Sequence, residues 1–419
     1  MSVKVCIITT GQPSTNPRLV KEADALVEAG YEVHVLCAYW ASWATKMDRY
    51  LLNSRFWSCT YVGGFRNRNI IHYMWTRLRH KIGREILPFF KSSSIFQKWA
   101  LSRVLPELEH TAKQQSADLY IAHYPGAFLA AVVASRIHNA RLGFDIEDLY
   151  EVTQAKDLNS SILNNLTEYF ESRYLSKCDY ITAVSPCIAE IYAKKYSIPQ
   201  PISILNVFPL SQRPREFRHT NKEGPLKLYW FSQTIGGGRG LEDVISAMGS
   251  LRECDIELHL RGEWQIGYRE RFFRFVISAG VKREKIVIHS PSPPNEMVRL
   301  ASLFDVGLAL EPKRDANNCL TISNKLFTYL LAGNAVAATD TPGQQIVIQK
   351  IGMGGFSYKS GDVVNLSHYL RLWAENRRLL EEARLQAWEW GSREYNWDIE
   401  KQKFLRVIKS VLNSQKLLH

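Results

Sequence analysis

Lys4-Val5-Cys6-Ile7-Ile8-Thr9-Thr10-Gly11 opens the chain, Asn16-Pro17-Arg18-Leu19-Val20 follows five residues later, and Glu32-Val33-His34-Val35-Leu36-Cys37-Ala38 comes after Gly30. The first run is apolar and β-rich over Lys4–Thr10. Pro17–Ala29 then sets Leu19, Ala23, Leu26 and Val27 on one helical face and stops at Gly30. Asn16 is a good N-cap, and proline at the first helical position loses an N–H that has no partner there in any case. Glu32–Ala38 is a second strand. Strand, loop, helix and strand in this order form a parallel βαβ unit.

Outward from that unit the alternation continues. Strands are expected at Leu119–Ala122, Arg141–Phe144 and Tyr180–Val184, with helices between them. Pro209–Pro225 is polar, charged and broken by Pro214, and reads as a linker. A second alternation follows, with strands at Leu226–Ser232, Ile256–Arg261, Lys285–His289, Val306–Leu310 and Ala335–Thr339. Helices are expected near Leu241–Met248, Arg269–Ala279, Asn295–Phe304, Asn324–Ala332 and Gln344–Ile351, and the tail Val363–Leu417 reads as three helices. The fold class is therefore α/β: two tandem Rossmann-like, doubly wound parallel-sheet domains. The expected boundaries are 1–208, a linker over 209–225, and 226–395, with 396–419 as a last helix.

A chain of 419 residues with 46% hydrophobic content is too long for one ordinary core and comfortable for two. No apolar run reaches the roughly 18 residues needed to span a bilayer, and the first residues lack a signal-peptide pattern, so a cytoplasmic location is expected. Seven scattered cysteines with no C-x-x-C pair read as reduced thiols rather than as a disulfide or metal set. The net charge of +12 favours an anionic partner, either a phosphorylated substrate or acidic lipid headgroups. No DNA- or RNA-binding signature accompanies it, so no nucleic-acid partner is expected.

Ligands of open parallel sheets bind beyond the carboxyl ends of the strands, so a cleft between two such domains is the expected site. Ser232–Gly240 follows a strand and precedes a helix, and its Gly236-Gly237-Gly238-Arg239-Gly240 suits phosphate contact by backbone N–H groups and a guanidinium. It matches neither the P-loop nor G-x-G-x-x-G; phosphate contact is the reading its strand–loop–helix context favours, and an ordinary flexible turn is the alternative. Glu311 to Gly333 runs from a strand end through a polar loop to a helix that Ser323 is expected to cap. Asn324 and Lys325 are expected to face outward in its first turn. A cation there opposes the helix dipole, so Lys325 suits an anionic ligand better than it suits the helix. His123 sits at a first-domain strand end, either as a packed residue or as a substrate contact. The acidic group Asp145, Glu147, Asp148 and Glu151 would hold acceptor hydroxyls, act as a base, or cap a helix starting near Leu149. Ile71, Trp75, Leu78, Ile82 and Ile86 make a helical stripe within Ile70–Phe90, with Arg77, Lys81 and Arg84 away from it. Two readings stand: a core stripe with a solvated basic face, or an interfacial membrane helix.

Several of these stretches together resemble the GT-B glycosyltransferases, particularly family 4. They are Asn16-Pro17-Arg18, Phe144-Asp145-Ile146-Glu147-Asp148-Leu149-Tyr150-Glu151, Gly237-Gly238-Arg239-Gly240-Leu241-Glu242, Leu258-His259-Leu260-Arg261-Gly262, Ser323-Asn324-Lys325-Leu326-Phe327 and Tyr395-Asn396-Trp397. The resemblance implies a last helix that crosses back to the first domain. It implies that Arg239 and Lys325 hold a donor diphosphate, with Gly11, Gly237, Gly238 and Arg261 lining the same place and Ser323 and Asn324 beside it. The family's E-x7-E pair is absent: Leu320 and Thr328 stand at its positions, so ribose and sugar contacts would fall to Glu311, to Asn317-Asn318 or to Thr328 itself. His123, Glu147, Asp148, Arg239 and Lys325 are the implied catalytic set, and Asp145 and Glu151 the acceptor contacts. The implied reaction moves a sugar, with retention, from a nucleoside-diphosphate sugar to a carbohydrate or polyprenyl-diphosphate-linked acceptor in polysaccharide assembly. No metal and no further cofactor is expected, and peripheral contact with an anionic membrane face would suit the charge. A UDP-sugar 2-epimerase and a non-catalytic nucleotide-sugar-binding homologue are the alternatives.

Overall fold

The computed structural model describes residues 2–150, 158–221, 223–313 and 316–414. The chain divides into two compact units, one of residues 1–204 with 401–419 and one of 205–400. The polar stretch 209–225 thus lies within the second unit, where the Phe217 ring packs on Trp388 and Arg218 pairs with Asp305 at 2.9 Å.

The first unit is built on seven parallel strands: β1 (Lys4–Thr9), β2 (Glu32–Ala38), β3 (Ser58–Val62), β4 (Leu119–His123), β5 (Arg141–Ile146), β6 (Tyr180–Ala183) and β7 (Ile202–Ser203). Their spatial order is β3-β2-β1-β4-β5-β6-β7. The central strands are covered on both faces, which is why β1 and β4 read as unbroken apolar runs rather than alternations. Four expected strands are one or two residues longer or shorter than the sequence suggests, and β2 matches its expected ends. The edge strands β3 and β7 carry too little apolar sequence to announce themselves.

Helix α1 (Pro17–Glu28) leaves β1 with Asn16 as its cap, the Asn16 carboxamide oxygen accepting from the Leu19 N–H at 3.0 Å. Helices α2 (Ser42–Leu52), α3 (Ile70–Ile86), α4 (Ser94–Leu101) and α5 (Leu105–Gln114) follow. In α3 the apolar stripe faces outward: Ile71 is 84% exposed, Trp75 50% and Leu78 52%, so it is not a core stripe. The face turned inward carries Tyr73, Thr76, Arg79 and Gly83. Arg79 grips Glu107 of α5 in a bidentate pair, and the Gly83 backbone lies so close to α4 that a Cβ would meet the Trp99 Cβ at 2.5 Å.

The second unit holds six parallel strands in the order β10-β9-β8-β11-β12-β13. They are β8 (Leu226–Ile235), β9 (Ile256–Trp264), β10 (Ile286–His289), β11 (Val306–Ala309), β12 (Ala335–Thr339) and β13 (Gly355–Tyr358). β8 runs past its expected end at Ser232 through an irregularity between Phe231 and Thr234. Gly307 of β11 leaves room for the Tyr329 ring, whose Cγ would lie 2.0 Å from an added Cβ. The tail forms three helices, Val363–Glu375, Arg377–Arg393 and Trp397–Asn413. The last of them belongs to the first unit from Lys401 onward, where Lys401 pairs with Glu28 at 2.9 Å and Ser414 accepts from Arg141. All seven cysteines are free thiols.

Candidate functional site

Each sheet starts in its middle and is extended first to one side and then to the other, which creates a point where neighbouring strands send their following loops in opposite directions. In the first unit this point lies between β1 and β4, and in the second between β8 and β11. The residues singled out from the sequence collect at these two places.

In the first unit the loop after β1 holds Gly11 and Asn16, and β4 ends on His123, which sits beside Thr9 of β1 and Asp145 of β5. His123 is fully buried. Its Nδ1 meets the Glu147 Oε1 at 2.8 Å and the Asp145 Oδ2 at 3.5 Å, and its Nε2 lies 3.2 Å from the Glu22 Oε2, an ion-pair distance without hydrogen-bond alignment. Arg18 donates through Nε and Nη2 to both oxygens of Asp145, at 2.5 and 2.6 Å, and through Nη1 to the Ile204 carbonyl. The Thr182 hydroxyl also donates to Asp145, and the Asn16 carboxamide donates to the Glu147 Oε1 at 2.6 Å.

Charge explains why so many ionisable groups tolerate burial together. Burial opposes the imidazolium, but Glu22, Glu147 and Asp145 outweigh it and push His123 up to about 10. Burial also works against Asp145, and Arg18 and His123 overcome it, holding that carboxyl below the usual range. Glu22 is lifted, first by burial and then by the charge of Asp145. Glu22, His123 and Asp145 each bring a ligand-type atom within 4.8 Å of the others. Asp145 is already held there by the Arg18 guanidinium, and the carboxylates around His123 favour a proton on its imidazole.

The geometry therefore separates the residues named from the sequence. His123 and Asp145 lie inside and act on their neighbours, whereas Glu147, whose side chain is 13% exposed, is the cluster's outlet to its surface. Asp148 is partly buried beside it, and together with burial these two carboxylates raise the Tyr124 hydroxyl. Glu151 lies outside the described residues, and the helix expected near Leu149 is described from Leu158. Tyr124 takes a φ of 72°, a backbone state that a residue with a side chain holds only when its surroundings impose it. Arg18 and Glu22 complete the cluster. Their sequence signal was an oppositely charged i, i+4 pair flanking the apolar stripe of α1.

In the second unit β8 leads into Gly236–Gly240 and then the helix Leu241–Ser250. Gly238 and Gly240 have φ of 64° and 76°, and a Cβ on Gly240 would sit 2.9 Å from the Leu310 Cβ, so this loop is moulded against the end of β11. Arg239 is half-buried and makes no hydrogen bond or ion pair among the described residues. Glu242 and Asp243 in the first helical turn are otherwise engaged, accepting from the Tyr268 hydroxyl at 2.8 Å and the Gly361 N–H at 2.9 Å.

After β11, Glu311 receives the Ser323 hydroxyl and the Lys325 ammonium, each at 2.7 Å. Lys325 is thus turned to Glu311, while Asn324 faces outward. Ser323 occupies the N-cap position of Asn324–Ala332 without bonding to the helix, because its hydroxyl serves Glu311. Thr328 is fully buried and donates to the Asn324 carbonyl at 3.1 Å. Arg261 is engaged by the Tyr229 hydroxyl, the Ser290 carbonyl and the Ser292 hydroxyl.

Known proteins bear on this arrangement. Residues 18–206 match the model of Glycosyltransferase Family 4. A glycosyltransferase from Rickettsia africae superposes with a TM-score of 0.67 at 11% identity, over 98% of this chain and 99% of that one. Anabaena HepE, solved with UDP-glucose, superposes with a TM-score of 0.64 at 13% identity, over 97% and 99%. Sucrose-phosphate synthase from Thermosynechococcus elongatus gives 0.68 at 13% identity, over 98% and 100%. No curated protein sequence matches the chain. The chain therefore has the fold of these GT-B glycosyltransferase structures, with two parallel-sheet units, and its first half is similar to Glycosyltransferase Family 4.

Proposed function

We propose that the protein transfers a sugar from a nucleoside-diphosphate sugar to a carbohydrate or lipid-linked carbohydrate acceptor, with the donor diphosphate held by the second unit. The observation that carries this reading is the pair of cationic strand-end loops on adjacent strands β8 and β11. One presents Arg239, without a partner among the described residues, in a glycine loop before a helix, and the other presents Lys325 in the first turn of a helix. Such donors favour an anion at a helix N-terminus and strengthen as charge builds on a leaving diphosphate. In the reaction the bond from the anomeric carbon to the diphosphate oxygen breaks, and the diphosphate keeps the electron pair. The acceptor oxygen bonds that carbon and gives up its proton to a carboxylate, for which Glu147 and Asp148 are the candidates. Two cations supply the charge that a metal ion would otherwise bring, so the proposed reaction is metal-independent. Retention, a role in polysaccharide assembly at the inner membrane face and a polyprenyl-diphosphate-linked acceptor complete the proposal, on the strength of the family resemblance.

Thermal-shift screening against nucleoside-diphosphate sugars tests it. A ligand at 100 times its Kd stabilises by about 2.7 kcal/mol. The expected result is a rise in melting temperature with one donor class in the wild type, largely lost in Arg239→Ala. A panel in which no donor shifts the wild type, or shifts both proteins equally, overturns the donor assignment.

A further inference from the structure

The helical pair α3–α4 of the first unit is built inside out. Helix α3 turns Tyr73, Thr76, Arg79 and Gly83 inward and leaves Ile70, Ile71, Met74, Trp75 and Leu78 exposed. At 100° per residue those five fall within an arc of about 140°, a continuous apolar face. Phe89 and Phe90, in the link to α4, are 82% and 58% exposed, and Ile95 at the start of α4 is 57% exposed. A contiguous apolar patch of this kind marks a contact with something apolar.

The charge around it says what that is. Residues 66–98 carry eight Lys and Arg against one Glu, and of these Arg79 and Lys98 are neutralised by Glu107 and Glu109 from outside the segment. Arg66, Arg68 and Lys91 are exposed and have no ion-pair partner among the described residues. Arg77 borders the apolar arc, with its own aliphatic stem available to the same surface. Apolar and aromatic side chains ringed by unpaired cations match the boundary between headgroups and acyl chains of an anionic bilayer. No helix among the described residues is long and apolar enough to cross a membrane, so the contact lies along the surface.

We propose that the exposed face of α3–α4 docks the protein onto an anionic lipid bilayer, with Ile71, Met74, Trp75, Phe89 and Phe90 entering the interface and Arg66, Arg68 and Lys91 engaging lipid phosphates. The inference rests on this surface and is independent of the donor site in the second unit.

Co-sedimentation of the full chain with vesicles tests it, using pure phosphatidylcholine against phosphatidylcholine with 30 mol% phosphatidylglycerol as the probe, roughly the anionic content that gives a strong surface potential. The protein is expected to bind only the anionic vesicles and to be released by high salt. Arg66→Gln with Arg68→Gln should weaken partitioning by about fivefold per charge removed. Trp75→Ser with Phe90→Ser should abolish it while leaving the melting temperature and the nucleotide-sugar response of the wild type intact, because both side chains are exposed. Failure to bind anionic vesicles, or binding unaffected by these four substitutions, overturns the proposal. Salt-insensitive binding to another protein on this face, with no vesicle binding, would assign it to a protein partner instead. A missing nucleotide-sugar response in a protein that still binds vesicles would overturn only the donor reading.

Discussion

Lys325→Met separates what a cation does for the fold from what it does for a ligand. Methionine keeps the apolar stem and removes the ammonium. The lost pair with Glu311 spans 2.7 Å with side chains 16% and 19% exposed, and such a partly wetted pair contributes about 1 kcal/mol or less. Against that loss, removing a cation from the first turn of Asn324–Ala332 returns about 0.3–1 kcal/mol of dipole repulsion. Glu311 keeps the Ser323 hydroxyl, so it is not stranded. The melting temperature should therefore move by no more than about 4 °C. A charge-assisted bond to a diphosphate contributes about 1.5–3 kcal/mol, which raises the Kd for the nucleotide roughly 10- to 100-fold. Isothermal titration with the nucleotide found by thermal-shift screening measures this directly. Glu311→Gln provides the complement: it frees the ammonium, so it should tighten nucleotide binding, and the effect should vanish in the Lys325→Met background. A Kd within about twofold of wild type in Lys325→Met, for a nucleotide the wild type binds, refutes the assignment of Lys325 to the diphosphate.

Two further outcomes follow from the same geometry. Gly240→Ala places a Cβ at a φ of 76° and 2.9 Å from Leu310, and it should cost about 1–2 kcal/mol and impair nucleotide binding. Gly267→Ala is the control, since its φ of 73° is equally demanding but nothing lies within 4 Å of the added carbon; it should lower the melting temperature without touching the Kd. His123 has a folded pKa of about 10 against an ordinary 6.5, so its contribution to stability is complete below about pH 6.5 and disappears as the pH rises through 10. Melting curves between those limits should fall with pH in the wild type and fall less in His123→Gln. Parallel slopes for the two proteins would show that the imidazole is neutral in the fold.

Central parallel strands were legible because burial on both faces writes them as continuous apolar runs. Ala335–Thr339 and Glu32–Ala38 match their expected ends for that reason. Ser58–Val62 and Gly355–Tyr358 carry no such run because an edge strand needs less apolar sequence, and Ile202–Ser203 is only two residues long. Helix α3 was ambiguous for a different reason. Periodicity reports that a helix has an apolar face but not which way that face points, and only the Arg79–Glu107 pair and the close approach at Gly83 settle that it points outward. In the first unit the sequence marked His123 and Glu147 as separate strand-end residues. Their union depends on Arg18 and Glu22, more than 100 positions earlier, and pairings across such distances leave no local trace. In the second unit the residue types were readable but their pairings were not, as the engagement of Ser323 and Lys325 with Glu311 shows.

The two switch points use charge in opposite ways. At β1 and β4 every cation is already matched: Arg18 by Asp145, and His123 by Glu22 and Glu147, inside a protein interior that would not tolerate an unmatched one. A cluster so closed does not bind an incoming anion, but it fixes Glu147 firmly, because that carboxylate accepts from both Asn16 and His123. At β8 and β11 the reverse holds. Arg239 has no partner among the described residues, and Lys325 has only a partly wetted one that a multivalent anion can outbid. Preorganised but unmatched positive charge is what a departing diphosphate requires, and a rigid carboxylate at a strand end is what an acceptor hydroxyl requires. The division of labour proposed for the two units therefore follows from how each sheet balances the charge at its own centre.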